Sequence, residues 1–304
     1  MTKAPLRLLP IVLLICVFAA TSVYAQDDPD SDETITFDSS LVILNASVTD
    51  QSGEFRTDLG AKDFEVFEEG KKQEIAFVES GESPFAVAIL VDVSGSMERM
   101  ISLARSAAIR FLEGIRDTDS VAIFAFESKV TKVRDFSSMR DPNAKFFDLK
   151  ASGQTVLNDA VVEAVEALSE RNEKRKAIIV LSDGADTRSK STSDRALKKA
   201  QEADVTIYTV DMSPINSNSR DIFQNRMVLR RFAQQTGGTF IKSPGGIALR
   251  DAFGTVVSEL GRQYTIGYYP ENQKKDGKWR KIRVVAAKSG YSIRTREGYY
   301  AEKK

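Results

Sequence analysis

Three short polar segments hold the residues whose types and spacing best suit chemistry: Asp92-Val93-Ser94-Gly95-Ser96-Met97, Gly153-Gln154-Thr155 and Ser182-Asp183-Gly184. In the first, a carboxylate and two hydroxyls stand at i, i+2 and i+4, so all three can converge on one point around a tight turn that Gly95 permits. Together the segments offer Asp92, Ser94, Ser96, Thr155 and Asp183, five oxygen donors of which two are acidic. Hard oxygens suit Mg2+, or alternatively Ca2+ or Mn2+, and such an ion usually takes about six ligands. The position left over is open to water or to a partner's carboxylate. An acidic-serine turn is also a common helix start, so Ser94 or Ser96 taken alone also reads as an N-cap. It is the presence of three such loops that favours the metal reading.

Composition narrows the alternatives. The chain has no histidine, which excludes His-based general-base catalysis and His-ligated zinc. Its one cysteine, Cys16, lies in the N-terminal apolar run, so the rest of the chain has no thiolate nucleophile and no disulfide. Any metal site is therefore an oxygen site. Lys plus Arg and Asp plus Glu balance at 43 each, so no net field draws the protein to nucleic acid.

The elements around these segments set where they sit. Residues 85–91, 121–126, 177–181 and 205–210 are continuous apolar runs, as expected of buried parallel strands. Between and after them, residues 97–115, 156–168, 192–203, 222–235 and 247–260 show helical spacing. An edge strand at 129–136 and a short strand at 238–241 complete the set. This alternation predicts an α/β domain, a doubly wound, mostly parallel Rossmann-like sheet, over residues 83–263. The polar segments then fall at strand-to-helix junctions, which is the ligand crevice of such a sheet. Asp186, near Asp183, reads as a solvated loop residue, with a supporting role behind the metal ligands as the alternative; Asp159 reads equally as a group that caps or orients the metal loop or as neither; Asp211 reads as a turn residue.

The flanks read differently. Residues 35–82 and 264–304 carry short β-prone stretches separated by turns, among them 41–49, 64–67, 75–78, 264–269, 279–287 and 291–295. Each flank is too short to bury a core alone. They are expected to pair into one β-module into which the α/β domain is inserted. The Tyr268-Tyr269 and Tyr299-Tyr300 pairs are read as packing residues of that module. At the N-terminus, residues 1–25 have the pattern of a signal peptide cleaved after Ala25, and the acidic residues 26–34 that of a disordered leader. The expected location is secreted or periplasmic, with no membrane span in the mature chain.

The motifs DVSGSM, GQT followed by LND, and LSDG strongly resemble the metal-ion-dependent adhesion site (MIDAS) of von Willebrand factor A (VWA) domains. That resemblance covers about residues 83–263. It implies that Ser94, Ser96 and Thr155 ligate the metal, and that Asp92 and Asp183 act directly or through water. The stretch 63–75 and the Tyr-x-Ile-Gly-Tyr-Tyr ending at 264–269, with Gly298-Tyr299-Tyr300, are similar to secreted bacterial VWFA-related proteins. The resulting expectation is a non-enzymatic adhesion-type binding module. It would engage a protein ligand that presents an Asp or Glu carboxylate to the metal. A metal-stabilised envelope scaffold is the alternative, and a metal-assisted hydrolase a further one.

Overall fold

The computed structural model describes residues 41–81, 83–138, 153–213, 219–242 and 246–303. The expected signal peptide, the acidic leader and residues 35–40 lie outside the described residues. Two architectures share the described chain: a six-stranded α/β layer structure and a β-sandwich built from the flanks.

In the six-stranded sheet, β5 (Phe85–Asp92), β6 (Ser120–Phe126), β8 (Arg175–Ser182), β9 (Val205–Asp211) and β10 (Phe240–Lys242) are parallel. The edge strand β7 (Val130–Ser137) runs antiparallel to β6. The order is β10-β9-β8-β5-β6-β7. Every residue of β5 is buried because helices cover both faces. Alternate β5 residues Phe85, Val87, Ile89 and Val91 join a core with α1 (Ile101–Gly114) and α5 (Gly246–Arg262). The intervening Ala86, Ala88 and Leu90 face α2 (Leu157–Ser169), α3 (Ser193–Glu202) and α4 (Arg220–Thr236). After β5 the chain moves to β6 and β7 on one side, then returns to β8 on the other. The order therefore reverses between β5 and β8, and the crevice at their carboxyl ends is a topological switch point.

Helix boundaries depart from the periodicity by a few residues. The largest shift is at α1, which starts at Ile101 rather than 97 because a 3-10 turn, Gly95–Met97, takes up the loop after β5. Met97 still belongs to the core. Thr192 and Ser219 cap α3 and α4 by accepting hydrogen bonds from the N–H groups of Arg195 and Ile222. Among the described residues no helix is long and apolar enough to cross a membrane.

The flanks form two four-stranded sheets. The first is ordered β13 (Tyr291–Arg294), β1 (Val42–Asp50), β11 (Tyr264–Tyr268), β4 (Ile75–Glu79). The second is ordered β14 (Gly298–Tyr300), β12 (Trp279–Ala286), β2 (Phe64–Glu68), β3 (Lys71–Gln73). Leu44, Ala46, Phe64, Val66, Ile266, Ile282 and Val284 belong to one core drawn from both sheets. The C-terminal strand β11 lies between the N-terminal strands β1 and β4, and Thr265 pairs with Glu79. The α/β layers are thus inserted between two strands that neighbour each other in the sandwich.

Buried polar groups join the two parts. Glu259 of α5, 2% exposed, accepts hydrogen bonds from Ser47 Oγ (2.7 Å) and Tyr208 Oη (2.8 Å) and pairs with Arg294 of β13. Arg175, 1% exposed, donates to the carbonyls of Gly81 (2.8 Å), Leu260 (3.3 Å) and Gln263 (2.5 Å) at the two crossover points. Burial lowers its guanidinium pKa to about 10, with Arg116 adding to the effect. Within the sandwich, the tyrosine-pair motifs meet the 63–75 motif at one carboxylate. Buried Glu68 accepts hydrogen bonds from Tyr268 Oη (2.7 Å) and Tyr299 Oη (3.0 Å), while Tyr269 is exposed. Burial and Glu68 together push both phenols well above the usual range.

Candidate metal centre

Asp92 ends β5 at the switch point and is fully buried. Both its carboxylate oxygens are engaged. Ser182 Oγ donates to Oδ2 (2.5 Å), and the backbone N–H of Ser94 donates to Oδ1 (2.9 Å). Burial raises the Asp92 carboxyl to about 6, against these hydrogen bonds and with a smaller contribution from the nearby negative Asp183. Burial of a carboxylate without a compensating positive charge disfavours its ionised form.

Ser94 is buried and Ser96 exposed, and their hydroxyl oxygens stand 3.1 Å apart. Ser94 occupies the N-cap position of the 3-10 turn, yet its side chain makes no capping hydrogen bond. The capping reading of that serine is therefore not what the structure displays. Two oxygens on one edge of a Mg2+ octahedron would stand about 3 Å apart, given bonds of 2.0–2.1 Å.

The second loop meets the first through its backbone: the Gly95 N–H donates to the Gly153 carbonyl (3.4 Å). The glycine that the fold requires here is Gly153 rather than Gly95. Gly153 has φ +72°, and a Cβ added to it would stand 2.2 Å from Glu127 Oε2. Gly95 is not among the positive-φ glycines, and a Cβ there would meet only ordinary contact at 3.7 Å. Thr155 follows, 3% exposed, immediately before α2. Asp183 lies just past β8, half-buried, its Oδ1 accepting from the Ala185 N–H (3.0 Å). Gly184 behind it has φ +81° and sits so close to Asn225 that an added Cβ would be 2.6 Å from that residue's carbonyl oxygen.

The structure thus gathers the three segments at one end of the sheet, with Asp92, Ser94 and Thr155 buried, Asp183 half-buried and Ser96 exposed. All five side chains offer oxygen donors, two of them carboxylates and three hydroxyls. Two acids are too few for an all-carboxylate cage, and no cluster of three or more His, Cys, Asp or Glu occurs among the described residues.

Several neighbours gain roles that the sequence left open. Ser182 reaches Asp92 because β5 and β8 are parallel with Val91 opposite Leu181, which sets Ser182 beside Asp92. Asp211 is not a simple turn residue. It is 1% exposed and its Oδ2 accepts from Arg226 Nε of α4 (2.6 Å). Asp186 is not a solvated loop residue either: it accepts backbone N–H groups from Asn158 (2.8 Å) and Ser189 (3.0 Å). Asp159 accepts those of Lys190 (2.8 Å) and Ser191 (2.9 Å).

Comparison with known proteins agrees with this geometry at the level of family and fold. The family described as "VWA domain containing CoxE-like protein" matches residues 68–234, more than half of the chain. No curated protein sequence matches. Among solved structures, the von Willebrand factor type A protein from Catenulispora acidiphila is similar at 15% identity and a TM-score of 0.51, covering 82% of this chain and 76% of its own. The conserved hypothetical protein BatB from Bacteroides thetaiotaomicron is 15% identical, with a TM-score of 0.47, and covers 58% of this chain and 98% of its own. The vWF domain of the type V pili tip protein Mfa5 from Porphyromonas gingivalis is 13% identical, with a TM-score of 0.48, covering 58% and 95% respectively. A doubly wound sheet with the DxSxS segment at its switch point and a family match over more than half the sequence lead to one conclusion: the chain belongs to the VWA domain containing CoxE-like family.

Proposed function

We propose that the protein is a binding module that holds one divalent cation, Mg2+ foremost, at Asp92, Ser94, Ser96, Thr155 and Asp183. The open coordination position takes an Asp or Glu carboxylate of a protein partner. The observation that carries this reading is Asp92: a fully buried carboxyl raised to about 6, beside hydroxyls 3.1 Å apart and a second acid. A cation offsets the buried charge. Because three of the five donors are neutral hydroxyls, the ion retains attraction for one more anion. With residues 1–25 read as a signal peptide, the partner is met outside the cytoplasm.

The test is capture of partners from the native envelope or medium by immobilised protein, in Mg2+ and in EDTA. The proposal predicts capture that needs the ion and is absent with Asp92→Ala. Capture that is unchanged in excess EDTA contradicts it. The second reading is a metal-stiffened scaffold without a ligand, which the dense backbone bonding between the Thr155 and Asp183 loops favours. A metal-dependent rise in melting temperature with no competition by free carboxylates would support that reading instead.

A further inference from the structure

The loops that carry Thr155 and Asp183 are joined by a ladder of hydrogen bonds beyond the five proposed donors. Thr155 has its whole backbone held by the other loop. Its N–H donates to Thr187 Oγ1 (3.0 Å), and its carbonyl accepts from the N–H groups of Thr187 and Arg188 (3.0 Å each). Arg188 Nη1 donates to Gln154 Oε1 (2.9 Å), and the Asp159 N–H donates to Ser189 Oγ (3.0 Å). Two carboxylates pin the ladder. Asp186 takes one N–H from the first turn of α2 and one from its own loop, through different oxygens. Asp159 takes two consecutive N–H groups from the far end of the 183–191 loop.

This pattern does not resemble a loop merely stabilised on a surface. Two loops far apart in sequence are fixed residue by residue, and each contributes one proposed donor. We infer that Asp186, seconded by Asp159, is a positioning residue for the cation: it fixes the separation between the Thr155 hydroxyl and the Asp183 carboxylate, and so sets metal affinity without touching the metal. The inference rests on the metal-site reading above. Asp186 suits this role because a carboxylate has two acceptor oxygens and no donor, so it can bridge two N–H groups on different elements. Asn supplies only one acceptor oxygen and Ala none. Outer groups of this kind typically change metal affinity by about tenfold to a hundredfold when removed.

Mn2+ titration of the full chain, followed by calorimetry and by the electron paramagnetic resonance signal of the bound ion, tests the inference. Wild type, Asp186→Ala, Asp186→Asn and Asp159→Asn are compared, with metal-free melting curves recorded for each. The expected result is about a tenfold or greater loss of Mn2+ affinity in Asp186→Ala and a smaller loss in Asp186→Asn, in proteins that still melt cooperatively. A purely structural role would lower the melting temperature and leave the affinity of the folded protein unchanged, and that result overturns the inference while sparing the metal site. If wild type itself takes up no Mn2+, the metal reading falls and the inference falls with it. Should Asp186→Ala fail to fold, Asp159→Asn binding Mn2+ as tightly as wild type overturns the pairing of the two carboxylates.

Discussion

Ser182 donates its hydroxyl to Asp92 across two adjacent parallel strands, Oγ to Oδ2 at 2.5 Å, with both residues fully buried. The same oxygen accepts the Gly184 N–H (3.0 Å), so it also fixes the start of the loop that bears Asp183. Removing it with Ser182→Ala strips a charge-assisted bond from Asp92 and leaves that N–H without its partner. The expected cost is about 1.5–3 kcal/mol in urea unfolding. A weaker affinity for divalent cations should accompany it. Unfolding and calorimetric titration of the variant check both.

The second prediction concerns pH. The Asp92 carboxyl in the folded protein is raised from 3.8 to about 6, so the native state holds this proton more tightly than the unfolded chain does. In metal-free buffer this group therefore penalises stability at neutral pH, by roughly 3 kcal/mol for a shift of that size. The penalty is relieved as pH falls through about 6 and is gone below the unfolded value of 3.8. Asp92→Asn removes the titration while keeping the shape. Comparing the two proteins at pH 5 and 7.5 by urea unfolding should show the variant gaining most at the higher pH. Proton competition also predicts that cation affinity declines as pH drops below about 6.

A third prediction addresses the joint between the sandwich and the α/β layers. Arg294→Ala leaves buried Glu259 with the hydroxyls of Ser47 and Tyr208 but without its cationic partner. Loss of one partner of a fully buried pair costs about 3–5 kcal/mol. Because the Arg294 side chain is 38% exposed, roughly 2 kcal/mol is the expected figure here. Differential scanning calorimetry should record one lowered transition rather than two, since Glu259 and Arg175 tie the two parts together.

The fourth prediction is that residues 264–304 expressed alone do not fold. Tyr264, Ile266, Ile282 and Val284 bury themselves against Leu44, Ala46, Phe64 and Val66 of the N-terminal flank. Circular dichroism of the isolated fragment should show no cooperative transition. An independently folded fragment, whether expressed or released by limited proteolysis, would contradict the shared core.

Much of this was legible in the chain itself, for identifiable reasons. The runs at 85–91 and 177–181 stand out because strands covered on both faces need no polar alternation. The donors of the first and third segments stand out because each follows a buried apolar strand, and Thr155 because it stands just ahead of a helical run. What stayed hidden depends on register and on contacts between distant segments. Ser182 finds Asp92 only through the β5–β8 pairing, and Asp211 finds Arg226 only once α4 packs on β9. The division of the flanks into two sheets was equally invisible, because half-buried strands show which residues face inward but not which strand lies alongside. Glu68 illustrates the limit: nothing local marks it as the residue on which Tyr268 and Tyr299 converge.

Calorimetric titration of the purified full chain with Mg2+ at pH 7.5, alongside Asp92→Ala, decides whether these residues hold an ion. One ion bound per wild-type chain and none by the variant is expected, with the variant's circular dichroism spectrum unchanged. Absence of binding in wild type, or equal binding in a folded Asp92→Ala, would contradict that expectation.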